Sequence, residues 1–161
     1  MDILWTPWRM EFILSEKSKE CIFCTKVAAD DDRAEHVLYR GQHAFIVLNL
    51  YPYNNGHLLV APYRHVPSTE DLTPEELTEL LALVNKGLSV LRRAIHPHGF
   101  NLGANIGKVA GAGIESHVHI HIVPRWEGDT NFMPLLAQTR VIPQWIDQTY
   151  DQLRRALEPE I

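Results

Sequence analysis

The stretch His117-Val118-His119-Ile120-His121-Ile122-Val123 constrains this chain more than any other. Histidine and an aliphatic residue alternate along it. A period of two is the period of a β-strand, whose successive side chains point to opposite faces. The stretch therefore predicts a strand over 117–123, with His117, His119 and His121 on one face and Val118, Ile120 and Ile122 turned into a core. A merely solvated strand face has no need of imidazoles, because Thr, Lys or Glu would serve it equally well. The stripe marks chemistry.

One metal ion held by all three histidines is disfavoured by spacing. The Cα atoms of His117 and His121 lie about 13 Å apart at strand rise. An imidazole plus a bond to zinc reaches only about 6–7 Å from Cα, and strand side chains stand off the sheet rather than lying along it. Division of labour fits better. A neutral imidazole is a good nucleophile near neutral pH, and neighbouring imidazoles can donate protons or hydrogen bonds. His119, flanked on both sides, is the candidate nucleophile.

The rest of the chain supplies the frame. Val37–Tyr39 and Ala44–Leu48 read as strands joined by a turn at Gly41, and His57–Ala61 reads as a third after Asn54-Asn55-Gly56. Thr73-Pro74-Glu75-Glu76 is a capping box with proline at the first helical position. Leu77, Leu80, Leu81, Val84, Leu88, Leu91 and Ile95 then recur at helical spacing as one stripe that predicts burial, and Pro97 ends the helix. Strands are expected again over Phe100–Ala104 and 117–123, separated by a glycine-rich loop. A tail helix is expected over Pro143–Leu157, with Trp145, Ile146, Tyr150 and Leu153 inward. The expected fold is α+β: a mainly antiparallel, five-stranded sheet with one long helix and a C-terminal helix. All of 1–161 forms one domain, in which 1–20 is a partly helical extension packing down through Leu4, Trp5, Trp8 and Phe12, and 127–161 is the tail.

Charge and cysteine content narrow the function classes. A formal net charge of −5 without a basic stripe argues against long nucleic acids as partners. A small anion remains possible, since backbone amides and histidines can hold one locally. No apolar run is long enough for a membrane span. The opening MDILWTPWRMEFIL lacks a basic start, so it is not a secretion signal, and a cytoplasmic location is expected. In that reducing setting Cys21 and Cys24 are better read as half a metal site than as a disulfide.

The histidine pattern resembles that of the histidine-triad (HIT) family of nucleotide hydrolases and transferases, whose signature is His-φ-His-φ-His-φ-φ with hydrophobic φ. The resemblance extends to Asn49, Gly56-His57-Leu58-Leu59-Val60-Ala61-Pro62 and Pro124-Arg125-Trp126, and so covers residues 21–126. Leu4-Trp5-Thr6-Pro7-Trp8-Arg9, Cys21-Ile22-Phe23-Cys24, Ala110-Gly111-Ala112-Gly113-Ile114 and Asn131-Phe132-Met133-Pro134 make the chain most similar to the bacterial diadenosine tetraphosphate (Ap4A) phosphorylase branch.

The resemblance implies that His119 attacks the α-phosphorus of an adenine nucleotide or dinucleoside polyphosphate to give a nucleotidyl-histidine. It implies that the backbone carbonyl of His117 orients the His119 ring, and that His121 contacts phosphate oxygens and helps protonate the leaving group. Phosphate or water then resolves the intermediate. Asn105, Gly111 and Gly113 are expected at the phosphates, through backbone contacts, because Ala112-Gly113 stands where many relatives carry Gln-Ser or Gln-Thr. Two readings stand for Asn49, a ribose ligand or a turn former before Tyr51-Pro52, and two for Trp126, beside the substrate or in the core. His57 is not counted as catalytic. A structural zinc on Cys21, Cys24, His65 and His117 is implied, against two metal-free thiols, and no organic cofactor is. Relatives form homodimers. Within the family the rival to an Ap4A phosphorylase or hydrolase is a purine-nucleoside phosphoramidase; outside it, a non-catalytic zinc-stabilised nucleotide-binding module.

Overall fold

The computed structural model describes residues 20–129, 142 and 144–157. The expected extension through Leu4, Trp5, Trp8 and Phe12, the Asn131-Phe132-Met133-Pro134 segment and Pro143 lie outside the described residues. The elements run α1 (Ile22–Ala28), β1 (Val37–Arg40), β2 (Ala44–Leu48), β3 (Leu58–Pro62), α2 (Pro74–Ile95), β4 (Gly99–Gly103), β5 (Ile120–Arg125) and α3 (Ile146–Leu157). The strands form one antiparallel sheet in the order β1-β2-β3-β5-β4. Among the described residues no helix is long and apolar enough to cross a membrane.

The two faces of the sheet have separate cores, and register explains which residues go where. Cross-strand partners share a face. Ile46 pairs with Val60 and Val60 with Ile120; these belong to the larger core beneath α2 and α3, with Leu58, Leu80, Leu91 and Ile122. Val47 pairs with Leu59, and Phe45 with Ala61; these face α1 and close over Phe23. Arg40 ties α1 down by donating to the carbonyls of Lys26, Val27 and Ala29 at its C-terminus, where a helix leaves acceptors unsatisfied.

The capping box of α2 is present as expected, with Thr73 and Glu76 satisfying each other's backbone amides. The buried stripe matches the expected one at Leu80, Val84 and Leu91, with Leu88 and Ile95 packed against the core, but departs from it elsewhere. Leu80, Leu83, Val84, Gly87, Val90 and Leu91 are buried, whereas Leu77 and Leu81 are 38% and 52% exposed. At about 100° per residue Leu81 lies a quarter-turn round from Leu80, so the expected stripe ran wide at Leu77 and Leu81, while Leu83, Gly87 and Val90 complete the contact face. Gly87 lets the helix approach: a Cβ there would sit 2.8 Å from Cδ1 of Ile122. Trp145 is likewise not inward but 80% exposed. It precedes the first turn of α3, so the helical period that buries Tyr150 and Leu153 does not govern it.

β5 begins at Ile120 rather than His117. Its ladder with β3 ends at the Val60–Ile120 pair, because beyond it Pro62 has no N–H to donate and its carbonyl is taken by the His117 side chain. His117 to His119 thus form the entry to the strand, anchored by the Val118 amide on the Val66 carbonyl.

Candidate active site

The three triad imidazoles share the α1 face, as alternation requires. The Phe23 ring lies 5.0 Å from the His117 ring and 4.9 Å from the His119 ring, centroid to centroid, and His119 lies 4.8 Å from His121. His119 and His121 line a pocket whose apolar wall is Ile22, Phe23, Val47, Leu59 and Ile114 and whose rim carries Asn49, Asn105, Gly111 and Gly113. His117 is fully buried behind them.

Hydrogen bonds fix which nitrogen of each ring carries the proton. Nδ1 of His119 is 2.9 Å from the carbonyl of His117. A carbonyl only accepts, so Nδ1–H donates and Nε2 keeps its lone pair. Burial pushes the His119 imidazole below its ordinary pKa, with the His117 carbonyl pulling the other way. The ring is neutral near pH 7. Its Nε2 is therefore a competent nucleophile.

His121 is governed by His57, which the sequence alone does not mark as catalytic. The Tyr53 amide donates to Nδ1 of His57 at 3.1 Å, and Asn49 Nδ2 stands 3.2 Å from the same nitrogen. That nitrogen must accept, so neutral His57 carries its proton on Nε2, which lies 3.0 Å from Nδ1 of His121. His121 accepts there and presents Nε2–H. The Tyr53 ring stacks on His121 at 5.7 Å. Strand parity carries the signal for His57: it stands two residues before Leu59, the partner of His121, and is a diagonal neighbour on the same face. Opposite His121 on β4 stands Gly103, with nothing near the place of its missing Cβ.

The turn reading of Asn49 is the one the hydrogen bonds display, and the residue also faces the pocket. Its Oδ1 accepts from the Tyr51 amide, its Nδ2 contacts His57, and it lines the pocket. Asn105 braces the glycine loop through Nδ2 to the Gly111 carbonyl at 3.5 Å, with Gly111 in the left-handed conformation at φ 84°. Trp126 is not among the residues lining the pocket; its amide donates to Asp129.

A second cluster adjoins the triad. Cys21, Cys24, His65 and His117 each offer one ligand atom, all within 4.8 Å of one another, and could hold a metal ion. His117 Nε2 donates to the Pro62 carbonyl at 2.8 Å, which leaves its Nδ1 lone pair aimed at the sulfurs of Cys21 and Cys24, 3.3 and 3.7 Å away. Burial and the adjacent Cys21 raise the Cys24 thiol, so a cation is what would make the thiolates favourable.

Residues 31–128 match the family model of the HIT domain. The chain is 42% identical over 166 residues to a Mycobacterium tuberculosis protein named AP-4-A phosphorylase, covering 98% of this chain and 83% of that one. It is 33% identical over 127 residues to a bis(5'-adenosyl)-triphosphatase of Dictyostelium discoideum, covering 79% and 76%. Among solved structures it is similar to a Zn-bound histidine triad family protein from Mycobacterium smegmatis, with a TM-score of 0.69 and 29% identity over 86% of this chain and 93% of that one.

Proposed function

The chain belongs to the histidine-triad (HIT) family, and from that membership we propose that it cleaves Ap4A through a nucleotidyl-histidine, with inorganic phosphate as the usual acceptor. One observation carries the chemistry: the His117 carbonyl holds Nδ1–H of His119 and so leaves Nε2 unprotonated on a ring that lines the pocket. In the first step Nε2 attacks the α-phosphorus. The bond from phosphorus to the bridging oxygen breaks, and ATP departs with His121 Nε2–H bonded to the leaving oxygen. In the second step a phosphate oxygen displaces His119 from phosphorus and ADP leaves. Water in the same place would give AMP. The phosphorylase name of the relative matching 98% of the chain supports phosphate.

The adenine fits the apolar wall of Ile22, Phe23 and Val47, with Asn49 at the rim placed for the ribose and the amides of Gly111 and Gly113 for the phosphates. Donors fixed before the charge develops are worth more than flexible ones.

Zinc fits the second cluster. Tetrahedral bonds of about 2.3 Å to sulfur and 2.0–2.1 Å to nitrogen put S and N about 3.5–3.6 Å apart. The Sγ to Nδ1 separations between the cysteines and His65 or His117 are 3.3, 3.4 and 3.7 Å. Bound by Cys21, Cys24, His65 and His117, zinc would be structural. It would hold α1 and His117, whose carbonyl orients the nucleophile. Thiolate ligands need a reducing surrounding, which favours the cytoplasm. A homodimer would cover the outer edge of β4, where Leu102 is 51% exposed.

Incubation of the purified protein with Ap4A, with and without phosphate, tests the reading. Phosphate-dependent ADP plus ATP is expected. AMP plus ATP regardless of phosphate would make it a hydrolase, and no cleavage by an intact, nucleotide-binding protein would leave a binding module.

A further inference from the structure

A tetraphosphate carries several negative charges into a protein whose own net charge is −5, so the cations available to it matter. Among the described residues almost every lysine and arginine is already engaged. Five form ion pairs with carboxylates, two lie over the rings of Tyr39 and Phe100, and three donate to backbone carbonyls. Lys26 touches the nucleotide pocket, yet its Nζ sits 3.0 Å from the Glu35 carboxylate and 2.7 Å from the Glu35 carbonyl. Its charge is spent.

Lys108 is the exception. Its side chain is exposed and has no partner among the described residues. It lies on the loop that supplies Asn105, Gly111 and Gly113 to the pocket, in a single 3₁₀ turn over Lys108–Ala110 between two glycines of positive φ, Gly107 at 82° and Gly111 at 84°. The Gly111 amide bonds back to the Lys108 carbonyl at 3.0 Å, which fixes the lysine backbone one turn from a pocket-lining glycine. Beside Gly103, Gly107 and Gly111 the space is open. An ammonium ion without a partner among the described residues thus stands on the loop that lines the proposed nucleotide pocket.

We propose that Lys108 is a specificity-determining residue that grips the phosphates beyond the scissile bond, so that the protein selects substrates by the length of their polyphosphate chain. This rests on the nucleotide reading above. The lysine touches neither the attacking nitrogen nor the α-phosphorus; it acts on the leaving half of the molecule, where each added phosphate brings a further charge within its reach. A flexible point charge suits this task, since it tolerates chains of different length.

Binding of AMP, ADP and ATP, measured by calorimetry in the His119→Ala background to hold turnover off, separates the clamp from the chemistry. With Lys108 in place, affinity is expected to rise with each added phosphate. Lys108→Gln should weaken ATP about five- to tenfold, the scale of one or two screened charge contacts, and AMP by less than about twofold. Lys108→Arg should restore ATP binding, and the Lys108 contribution should fade with added salt. Equal weakening of AMP and ATP would mean that the lysine merely shapes the loop. No change in ATP binding, or an equal and opposite gain from neutralising the exposed Glu115 on the same loop, would also overturn the proposal. If ATP responds to Lys108 while Ap4A is never cleaved, the clamp stands and the enzymatic reading falls. If neither AMP nor ATP binds, both fall.

Discussion

Nε2 of His57 lies 3.0 Å from Nδ1 of His121, and the Tyr53 amide on the far side of His57 decides which of the two donates. The proton of His121 is thereby fixed on Nε2, where a leaving oxygen can take it. If His121 protonates the leaving oxygen, His57 acts as a positioning residue, and its loss should show only when the leaving group needs help. His57→Phe is expected to lower kcat/KM for Ap4A about 10- to 100-fold, within the range of one general-acid contribution. A nitrophenyl ester of AMP, whose leaving group departs without a proton, should lose far less. Equal losses on both substrates would reduce His57 to a structural role.

The pH dependence follows from the burial of His119. Its pKa is lowered, so the ring stays unprotonated below the ordinary imidazole value of about 6.5. The acid limb of kcat/KM is therefore expected below pH 6.5. Stability has the matching sign. Between the ordinary and the lowered value the unfolded chain binds a proton that the folded ring refuses, so folding weakens as pH falls through that window and loses no more beneath it. A pH–rate profile with its acid limb above 6.5 would contradict a buried, neutral nucleophile.

One equivalent of zinc per chain is expected in protein purified under reducing conditions, read by elemental analysis. Cys24→Ser should lose it. If the site contributes about 3 kcal/mol, Tm falls by about 6–12 °C in a chain of this size. Activity should fall with it, because a metal on the cluster would hold His117, whose carbonyl bonds the His119 ring. A metal-free protein whose Tm ignores both chelator and Cys24→Ser would leave two thiols and nothing more.

How far these features were legible in the sequence depends on range. The capping box at Thr73 and the shared face of the triad histidines are local, and the structure reproduces both, although the strand itself starts only at Ile120. The geometric meeting of Cys21 and Cys24 with His65 and His117 was reachable only through family resemblance, since nothing local joins positions so far apart in sequence. The rotation of α2 that exposes Leu81 depends on where the sheet lies, which a helical period alone does not state. The contact of His57 with His121 exists only across a strand pair, so no local pattern marks it. Lys108 carries no local signal either: what distinguishes it is that the other described lysines and arginines are occupied, a property of the fold rather than of any segment.

Gly103 offers the most discriminating test of where the phosphates sit. It faces His121 across the β4–β5 pair, so a side chain there would stand about 4.5–5.5 Å from the Cβ of His121, on the pocket side. The space is open and the backbone does not require glycine. Gly103→Val should therefore leave the fold intact, with a stability change within about 1 kcal/mol that favours valine if anything. The methyl groups would nonetheless occupy the volume beside the His121 donor. We expect kcat/KM for Ap4A to fall at least about tenfold, a loss of about 1.4 kcal/mol in transition-state binding, with Tm unchanged or raised. Gly103→Ala should fall between valine and the parent. Full activity in the valine variant would mean that the substrate approaches His119 from the Asn49 side alone, and the leaving-group contact assigned to His121 would have to be abandoned.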